Sequence, residues 1–465
     1  METLFRVADR APDDGRTDGS LPMSRLRTGV LAAILVFAVV VAGASALALW
    51  ESDGPGDRTQ GSLTANWVSD TGRNVTGNHH VAVGGQPSGQ PMVFAPISGE
   101  PGQGDAGHNH AGHDHDHGAA GECGLVALNG TDGAARWSYE VPPENCTIHA
   151  VADPTLADVD GDGEQEVLAT STERTVVAFD PETGDVELEH NLSAYGYTRP
   201  LVADLTGDGN RELVVVDANA NVFVVGPDGE EIWTNRLPAS YVWGQPHVDD
   251  FDGDGDAELA VALGEGELYL LDGDGSVAWN RSVGAGETVT WFTAGQADDD
   301  ASTELVAATT GGNVSLYDGD GSLVWREDLG SFAAVEAVGD GDGDGTPEVY
   351  ATARDGTLRA LDGPTGEVEW TTELTTDDVQ MMPPPILADA DDDDGDPELV
   401  AASNDGRVAV LDPASGETLA AYERETPIWT YPTVADVDDD PAPELLVMYG
   451  DGRVATLSYE ESESE

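Results

Sequence analysis

Asp158-Val-Asp-Gly-Asp-Gly-Glu-Gln-Glu166 is an acidic loop that leads directly into an apolar run, Val167-Leu168-Ala169. The same frame recurs six more times, and its copies end at Glu212, Glu258, Glu304, Glu348, Glu398 and Glu444. Successive glutamates of this series are separated by 46, 46, 46, 44, 50 and 46 residues. A period of this size indicates a repeat architecture in which each supersecondary unit packs against its neighbours.

Each repeat reads as four short strands joined by Gly/Asp turns, as the unit around the third loop illustrates. A short strand at 247–251 leads into the acidic loop, a buried strand follows at 258–263, and a third strand lies at 267–271. The turn Asp272-Gly-Asp-Gly275 precedes a fourth strand at 277–281. Short strands at this spacing, without helical periodicity, predict an all-β fold in which each repeat is one antiparallel blade of a β-propeller.

The third strand of the repeat occurs eight times, which predicts eight blades. Its copies lie at 125–129, 176–180, 222–225, 267–271, 314–318, 358–362, 408–412 and 454–457. The last copy has no fourth strand after it, and the segment 63–68 near the start of the chain could supply one. Joining both ends of the chain in one blade would close the ring and remove its exposed sheet edges. We therefore predict an eight-bladed propeller over residues 63–459, with seven blades as the alternative.

Five repeats place a tryptophan on the fourth strand, four residues after a turn glycine. The pairs are Gly133/Trp137, Gly229/Trp233, Gly275/Trp279, Gly321/Trp325 and Gly366/Trp370. Because large aromatic side chains dominate core contacts, we interpret these tryptophans as packing between blades. A role in ligand binding is the alternative.

These motifs resemble two known propeller repeats. The acidic loop followed by a Glu-Leu-Val-type strand resembles the FG-GAP/VCBS repeats of integrin-α-like propellers. The hairpin Ala-Leu-Asp-x-x-Thr-Gly-x-x-x-Trp, clearest from Ala360 to Trp370, is similar to the quinoprotein-type, or PQQ-like, repeat. The resemblance implies a propeller scaffold, and integrin-like and assembly-scaffold propellers imply recognition without chemistry.

The acidic loop has the ligand pattern of a calcium site. Calcium takes six to eight oxygen ligands. The loop offers side chains at positions 1, 3 and 5, a backbone carbonyl at 7 and a carboxylate at 9, with Gly at 6 for the bend. An EF-hand would use Glu at position 12 and lead into a helix, whereas a strand follows here. A solvated acidic turn is the alternative, and a bound ion would have a structural role.

The candidate calcium ligands fall into seven sets. Loop by loop they are Asp158, Asp160, Asp162, Glu164 and Glu166; Asp204, Thr206, Asp208, Asn210 and Glu212; Asp250, Asp252, Asp254, Asp256 and Glu258; Asp298, Asp300 and Glu304; Asp340, Asp342, Asp344, Thr346 and Glu348; Asp389, Asp391, Asp393 and Glu398; and Asp436, Asp438, Asp440 and Glu444. The loops headed by Asp158, Asp250 and Asp340 are complete, and the loop headed by Asp204 has Thr206 at position 3. Three loops depart from the pattern: Gln296 replaces the first Asp, the loop at 389–398 has an extra residue, and Pro441 replaces a glycine.

The opposite face of the predicted propeller is rich in aromatic residues. In a four-stranded blade the acidic loops and the Asp-Gly turns share one face, and the remaining connections lie on the other. The candidate ligand-binding residues on that second face are Tyr197, Arg199, Trp243, His247, Trp291, Met382, Trp429 and Tyr431. A ring of such side chains around the axis would suit a sugar, a peptide or another planar ligand. The alternative is that the aromatic rings fill the channel as core.

Blade 1 carries a Gly/His-rich insertion at 98–122 with five closely spaced histidines. These are His108, His110, His113, His115 and His117. Imidazoles at this density can chelate zinc or copper, so the tract is a candidate transition-metal site. Incidental low complexity is the alternative.

Cys123 and Cys146 are the only cysteines, and they flank one predicted hairpin. Outside the cell we expect them to form a disulfide, with two free buried thiols as the alternative.

The formal charge of −70 limits the classes of partner, and the 19 basic residues are all arginines. Such a charge would normally indicate disorder, yet 39% of the residues are hydrophobic and regularly patterned. Molar salt, which shortens the Debye length to about 3 Å, would screen the repulsion, so the composition indicates an extreme halophile. Nucleic acid is excluded as a partner because no basic patch offsets phosphate charge.

The start of the chain predicts a membrane anchor. Residues 29–50 carry no charge and are long enough to span a bilayer, and Arg25 and Arg27 precede them. This places 1–28 in the cytoplasm, 51–62 as a linker, and the propeller with an acidic tail at 460–465 outside the cell. A cleaved signal peptide is the alternative. Six glycosylation sequons, at Asn74, Asn129, Asn145, Asn191, Asn280 and Asn313, agree with export.

The favoured hypothesis is a noncatalytic, single-pass membrane propeller that binds a protein or glycan in the envelope of a halophilic archaeon. Two enzyme classes are alternatives. The resemblance to quinoprotein dehydrogenases would imply an adjacent Cys-Cys pair, which is absent here. A polysaccharide lyase would need basic residues on the axis. Metal capture through the His-rich tract is a further alternative.

Overall fold

The computed structural model describes residues 61–71, 75–85, 89–99, 123–147, 149–238, 241–284, 286–298, 300–391, 395–438 and 442–461. The predicted cytoplasmic tail, the anchor at 29–50 and His108 to His117 lie outside these ranges. Within them, no helix has the length and apolar character needed to cross a membrane.

The described residues form eight antiparallel sheets, one for each predicted blade. Blade 1 contains β2 (Val75–Thr76), β3 (Ala82–Gly84), β4 (Met92–Gly99), β5 (Gly124–Asn129) and β6 (Ala135–Glu140). Blade 2 contains β7 (Thr155–Ala157), β8 (Glu166–Thr170), β9 (Thr175–Phe179) and β10 (Val186–Asn191). Blade 3 contains β11 (Leu201–Ala203), β12 (Glu212–Val216), β13 (Asn221–Val225) and β14 (Glu231–Arg236). Blade 4 contains β15 (His247–Asp249), β16 (Glu258–Leu263), β17 (Glu267–Leu271) and β18 (Val277–Ser282).

The second half of the ring repeats this pattern. Blade 5 contains β19 (Val289–Gly295), β20 (Glu304–Thr309), β21 (Asn313–Tyr317) and β22 (Leu323–Asp328). Blade 6 contains β23 (Ala333–Gly339), β24 (Glu348–Ala353), β25 (Thr357–Asp362) and β26 (Val368–Glu373). Blade 7 contains β27 (Ile386–Ala388), β28 (Glu398–Ala402), β29 (Arg407–Leu411) and β30 (Thr418–Glu423). Blade 8 contains β31 (Thr433–Ala435), β32 (Glu444–Met448), β33 (Val454–Glu461) and β1 (Gly61–Val68).

The two ends of the described chain meet in blade 8. Strand β1 pairs antiparallel with β33, from Gly61 opposite Glu461 to Val68 opposite Ala455. This pairing confirms the predicted closure and the count of eight blades. The closing strands begin two residues before, and end two residues after, the predicted limits of 63 and 459.

Burial explains the sequence pattern of the strands. The second and third strands of a blade, such as β8 and β9, are buried along their whole length, which requires continuous apolar runs. The fourth strand, such as β10, alternates exposed and half-buried positions and therefore carries charged residues. Each blade thus buries its two inner strands between its neighbours and exposes its outer edge.

Tryptophans link six of the eight blades to the next blade, which confirms the packing interpretation. The indole N–H of Trp325 donates to Gly363 O at 2.6 Å, and a Cβ at Gly366 would lie 2.6 Å from the Trp325 ring. With a φ of +72°, position 366 favours glycine for a second reason. The other indole donations are Trp137 to Pro181 O, Trp233 to Gly273 O, Trp279 to Gly319 O and Trp370 to Pro413 O. Trp67 in β1 donates to Gly130 O of blade 1 and so joins the last blade to the first.

The connections divide between two faces as predicted. The acidic loop of blade 5 contacts the turn between β21 and β22, because Ser302 Oγ donates to Asp318 Oδ1 at 3.1 Å. The connections between blades, together with those between second and third strands, lie at the other end of the channel. Cys123 and Cys146 form the predicted disulfide, which ties the start of β5 to the connection after β6.

Truncating an interblade tryptophan should destabilise the fold far more than truncating a tryptophan on the aromatic face. Trp325 is 8% exposed and Trp243 is 48% exposed. We expect Trp325→Ala to lower the free energy of unfolding by about 3–5 kcal/mol, and Trp243→Ala by about 0.5 kcal/mol or less. Chemical denaturation at constant molar salt measures both. Equal losses would contradict the packing role.

Candidate functional site

The acidic loops share one hydrogen-bond frame. Glu166 Oε2 accepts from the backbone N–H of Val159, the second residue of its loop, at 2.9 Å. The same contact is made by Glu212, Glu258, Glu304, Glu348, Glu398 and Glu444. One carboxylate oxygen of this glutamate therefore fixes each loop.

The aspartate at position 1 also divides its two oxygens. Asp250 Oδ2 accepts from Gly255 N–H at 2.9 Å, and Asp204 Oδ2 accepts from Gly209 N–H at 3.0 Å. The remaining Oδ1 atoms of Asp204 and Asp250 are buried without a hydrogen-bond partner. A buried carboxylate oxygen without a donor is unfavourable unless a cation lies beside it.

The clustered carboxylates repel one another. Asp340, Asp342, Asp344 and Glu348 offer oxygens that lie within 4.8 Å of one another. Burial, followed by neighbouring carboxylates, raises the pKa values of Glu166, Glu258, Glu304 and Glu348 to about 7. These all-oxygen donors, with an unpaired position-1 oxygen in the loops headed by Asp204 and Asp250, fit a hard cation such as calcium.

In two of the loops that differ from the complete pattern, a side chain of the loop hydrogen-bonds to other groups of the same loop. In the fourth loop, Gln296 Nε2 donates to the backbone carbonyls of Asp298 and Asp300, at 3.1 and 3.0 Å, so an amide occupies the position-1 role. In the second loop, Thr206 turns both its N–H and its hydroxyl towards Glu212. Asp393 and Asp440 of the last two loops lie outside the described residues.

A pocket of about 600 Å³ opens on the axis at the opposite end of the channel. Four predicted residues line it: Tyr197, Trp243, Trp291 and Trp429. Its further lining includes residues that sequence reasoning did not assign to a ligand site, among them His79, Asp153 and Gln245. Trp243, Tyr197 and Trp429 share a position in the repeat, seven residues before an acidic loop, and this signal found them.

The other four predicted residues lie elsewhere. Met382 was expected on the aromatic face, but its side chain is fully buried in the core cluster of Tyr350 and Leu358, and Met381 lines the pocket instead. Arg199 and His247 line a second cavity, of about 390 Å³, that also contacts Asp158 of an acidic loop.

Tyr431 lies beneath the pocket. It stacks on His80 at a centroid distance of 4.7 Å and meets Trp291 edge-on at 6.1 Å. Tyr431 is 8% exposed, so its ring acts as packing, which was the alternative reading for the aromatic ring.

The floor of the pocket is a buried polar cluster around Asp153. Its Oδ1 lies 3.2 Å from His79 Nδ1 and 2.9 Å from His80 Nδ1, and its Oδ2 accepts from Gln245 Nε2 at 2.5 Å. Burial opposes ionisation, but the charges and hydrogen bonds of His80 and His79 hold the pKa of Asp153 well below its usual range. The two histidines come from the connection that splits the innermost strand of blade 1 into β2 and β3.

His149 extends this cluster into the pocket. Its Nδ1 lies 3.1 Å from His79 Nε2, and Tyr197 packs against both imidazoles at centroid distances of 5.0 and 5.7 Å. Burial, followed by the neighbouring His79, lowers the pKa of His149 to about 3. The imidazole is therefore neutral at physiological pH.

The pocket tryptophans differ from the interblade tryptophans in the hydrogen bonding of the indole N–H group. The six described interblade indoles all donate to a carbonyl, as given above. The indole N–H groups of Trp243, Trp291 and Trp429 donate to no other residue in the described parts of the chain. Trp243 is 48% exposed and Trp291 and Trp429 are half-buried, so their N–H donors remain available to a ligand in the pocket.

Comparison with protein families agrees with this architecture. A family model described as "Outer membrane protein assembly factor BamB", built on PQQ-like repeats, matches residues 117–226 and 264–462, more than half of the chain. The chain belongs to this family. A second model, the FG-GAP-like repeat, matches residues 204–261 and covers the loops headed by Asp204 and Asp250. Both predicted resemblances are confirmed. No curated protein matches the chain in a sequence search.

Solved structures share the fold at low identity. BamB from Moraxella catarrhalis is 15% identical with a TM-score of 0.51, covering 88% of this chain and 100% of its own. The computationally designed Ika8 protein is 13% identical with a TM-score of 0.56, covering 85% and 99%. BBS1N, solved in complex with ARL6DN, is 14% identical with a TM-score of 0.50, covering 67% and 93%. At these identities the likeness concerns the fold alone.

The half-buried His247 should make the fold acid-sensitive. Its Nε2 donates to Phe292 O at 3.1 Å, and burial, followed by the charge of Arg199, lowers its pKa to about 3. The unfolded chain takes up this proton near pH 6.5, so the contribution is present above about pH 6.5 and is lost as the pH falls towards about 3. In His247→Phe the decline of unfolding free energy with falling pH should be shallower, by up to about 1.4 kcal/mol per pH unit. Denaturation series at several pH values measure this difference, and parallel profiles would contradict it.

Proposed function

We propose that this protein is a noncatalytic propeller that binds a protein or glycan of the cell envelope through its aromatic pocket. The observation that carries the proposal is the pocket itself, in which three tryptophans present unpaired indole N–H groups around a concave space of about 600 Å³. Concave, mostly apolar sites with a few polar groups are the usual form of a binding site.

The relatives support a binding role. The matching family is described as an outer-membrane protein assembly factor, and BBS1N was solved in a complex with ARL6DN. Those descriptions concern the relatives. We extend this binding role to the present chain, and we assign the binding to the pocket face.

We propose that the propeller lies on the extracellular side of the cell membrane of an extreme halophile, held by a single-pass anchor at 29–50. The support is the charge of −70, the uncharged apolar run after Arg27 and the six sequons. The disulfide between Cys123 and Cys146 fits an oxidising compartment.

We further propose that calcium stabilises the ring through the loops headed by Asp158, Asp204, Asp250 and Asp340. The support is the shared oxygen cage and the orphan Oδ1 atoms of Asp204 and Asp250. The ion would sit away from the pocket and act on stability, not on recognition. The fourth loop, at 296–304, should depend least on calcium, because the Gln296 amide already donates into it.

Calcium removal should lower the melting temperature. A ligand that binds only the native state at 100 times its Kd adds about 2.7 kcal/mol of stability. We expect EGTA at constant molar NaCl to lower the melting temperature, Asp250→Asn to reduce that shift, and Gln296→Asp to enlarge it by restoring position 1. Scanning calorimetry with and without added calcium checks this. A melting temperature that ignores EGTA would contradict the calcium proposal.

Loss of the pocket tryptophans should abolish capture of the partner. The double variant Trp243→Ala/Trp429→Ala should weaken binding by about 30-fold or more, since truncating a central aromatic anchor costs about 2 kcal/mol or more. Glycan arrays and pull-downs from envelope fractions measure the binding.

The matched control is Ile232→Ala/Leu323→Ala. These side chains are each 48% exposed, like Trp243, but lie on fourth strands at the outer edge. The control variant should bind like the wild type. Equal binding by both double variants would remove the pocket from the proposal.

A second candidate, a polysaccharide lyase, is favoured by one observation. Arg199, His80 and Tyr431 approach Glu336 on the axis, which is the kind of cluster that such an enzyme would need. Incubation with acidic polysaccharides and detection of unsaturated products tests it. Absence of product would leave the noncatalytic proposal in place.

A further inference from the structure

We propose that the axial pocket binds the neutral pyranose end of a glycan, with the tryptophans against the sugar faces and His149 Nε2 hydrogen-bonded to a sugar hydroxyl. The inference rests on the proposed function and names the ligand class of the same site.

The shape of the site favours a small, compact group. A stable protein interface buries about 800 Å² on each partner and is broad, whereas small-ligand pockets enclose about 300–1,000 Å³. This pocket encloses about 600 Å³ and narrows onto the polar cluster at Asp153. Trp243, Trp291 and Trp429 all line this pocket.

The charges of the site favour a neutral ligand. Asp153 is the carboxylate that lines the pocket, and it is already paired with His79, His80 and Gln245. A cationic ligand would therefore find no free counter-charge there. An anionic ligand would meet a neutral imidazole at His149 and the net charge of −70. Of the three classes of ligand, a polar ligand without charge therefore fits the pocket best.

The tryptophans offer what a sugar ring needs. Each indole presents a flat apolar face and one N–H donor at its edge, and a pyranose presents a face of C–H groups and a rim of hydroxyls. The three pocket indoles keep that donor free, while the interblade indoles use theirs on backbone carbonyls. Tyr197 adds a hydroxyl that makes no hydrogen bond within the described chain.

Hydrogen bonds among three residues leave one nitrogen of His149 for a ligand. A carboxylate only accepts, so His79 donates Nδ1–H to Asp153. The other ring nitrogen of His79, Nε2, lies 3.1 Å from His149 Nδ1, so that nitrogen of His149 is already engaged. His149 Nε2 makes no hydrogen bond within the described chain, and the residue lines the pocket. A sugar hydroxyl both donates and accepts, so it can pair with this nitrogen.

Titration of the protein with sugars tests the inference. Intrinsic tryptophan fluorescence and calorimetry at constant molar NaCl would follow the binding of neutral disaccharide methyl glycosides, a uronate-containing disaccharide and tetramethylammonium. We expect at least one neutral glycoside to bind, and the charged probes to bind at least 10-fold more weakly.

Two substitutions at one position separate a hydrogen bond from packing. His149→Phe keeps a flat ring without an acceptor and should weaken binding by about 10-fold or more. His149→Gln places an amide oxygen near Nε2 and should recover part of the loss. Melting temperatures and circular dichroism of both variants, which should match the wild type, show whether each folds. If both variants fold, the role of His149 would be overturned by wild-type binding in His149→Phe, or by a loss in His149→Gln as large as in His149→Phe.

The outcomes separate this inference from the proposed function. If no neutral glycoside binds while an envelope partner is still captured in a Trp243- and Trp429-dependent manner, the sugar inference is overturned and the recognition proposal stands with a protein partner. If tetramethylammonium or the uronate binds best, the sugar inference is likewise overturned. If neither sugars nor envelope partners bind, both fail.

Discussion

The blades of this propeller cannot bury both faces of their inner strands alone, and every other feature depends on that constraint. Strands such as β8 and β9 are buried throughout, so each blade needs a neighbour on both sides. The ring satisfies this only when it closes, which the pairing of β1 with β33 achieves. The Trp67 indole, donating to Gly130 O, makes the junction between blades 8 and 1 resemble the other junctions. Stability, and the narrow channel on the axis, both follow from closure.

The sequence predicted the features that repeat. The period of the acidic loops, the eight third strands, the orphan segment near residue 63 and the pair Cys123/Cys146 are local patterns whose structural meaning does not depend on distant contacts. The pocket was predicted only where its residues share a repeat position, as Tyr197, Trp243 and Trp429 do. His79, His80 and Asp153 were missed because blade 1 and its junction depart from the repeat, and their association joins residues that lie far apart in the chain. The same repeat position predicted Met382 wrongly, because its side chain is fully buried and Met381 lines the pocket instead. This connection continues into Pro383-Pro384-Pro385, where the other three copies have a single proline, so the repeat position does not fix which side chain turns towards the axis.

The two faces therefore differ in chemistry as well as position. The acidic loops combine carboxylates, raised glutamate pKa values and orphan oxygens, all of which a hard cation would relieve. The opposite face combines free indole donors with a neutralised carboxylate and an uncharged imidazole. In our account the first face maintains the ring and the second recognises the partner. This division explains why a protein with a charge of −70 can present a pocket that carries no net charge of its own.

The central claim is that recognition takes place at the aromatic pocket. Hydrogen–deuterium exchange of the purified protein, with and without an envelope extract, tests it directly because exchange reports on both faces at once. The account predicts new protection in the connections around Tyr197, Trp243 and Trp429, and unchanged exchange in the acidic loops. Protection confined to the acidic loops or to the outer fourth strands would contradict it.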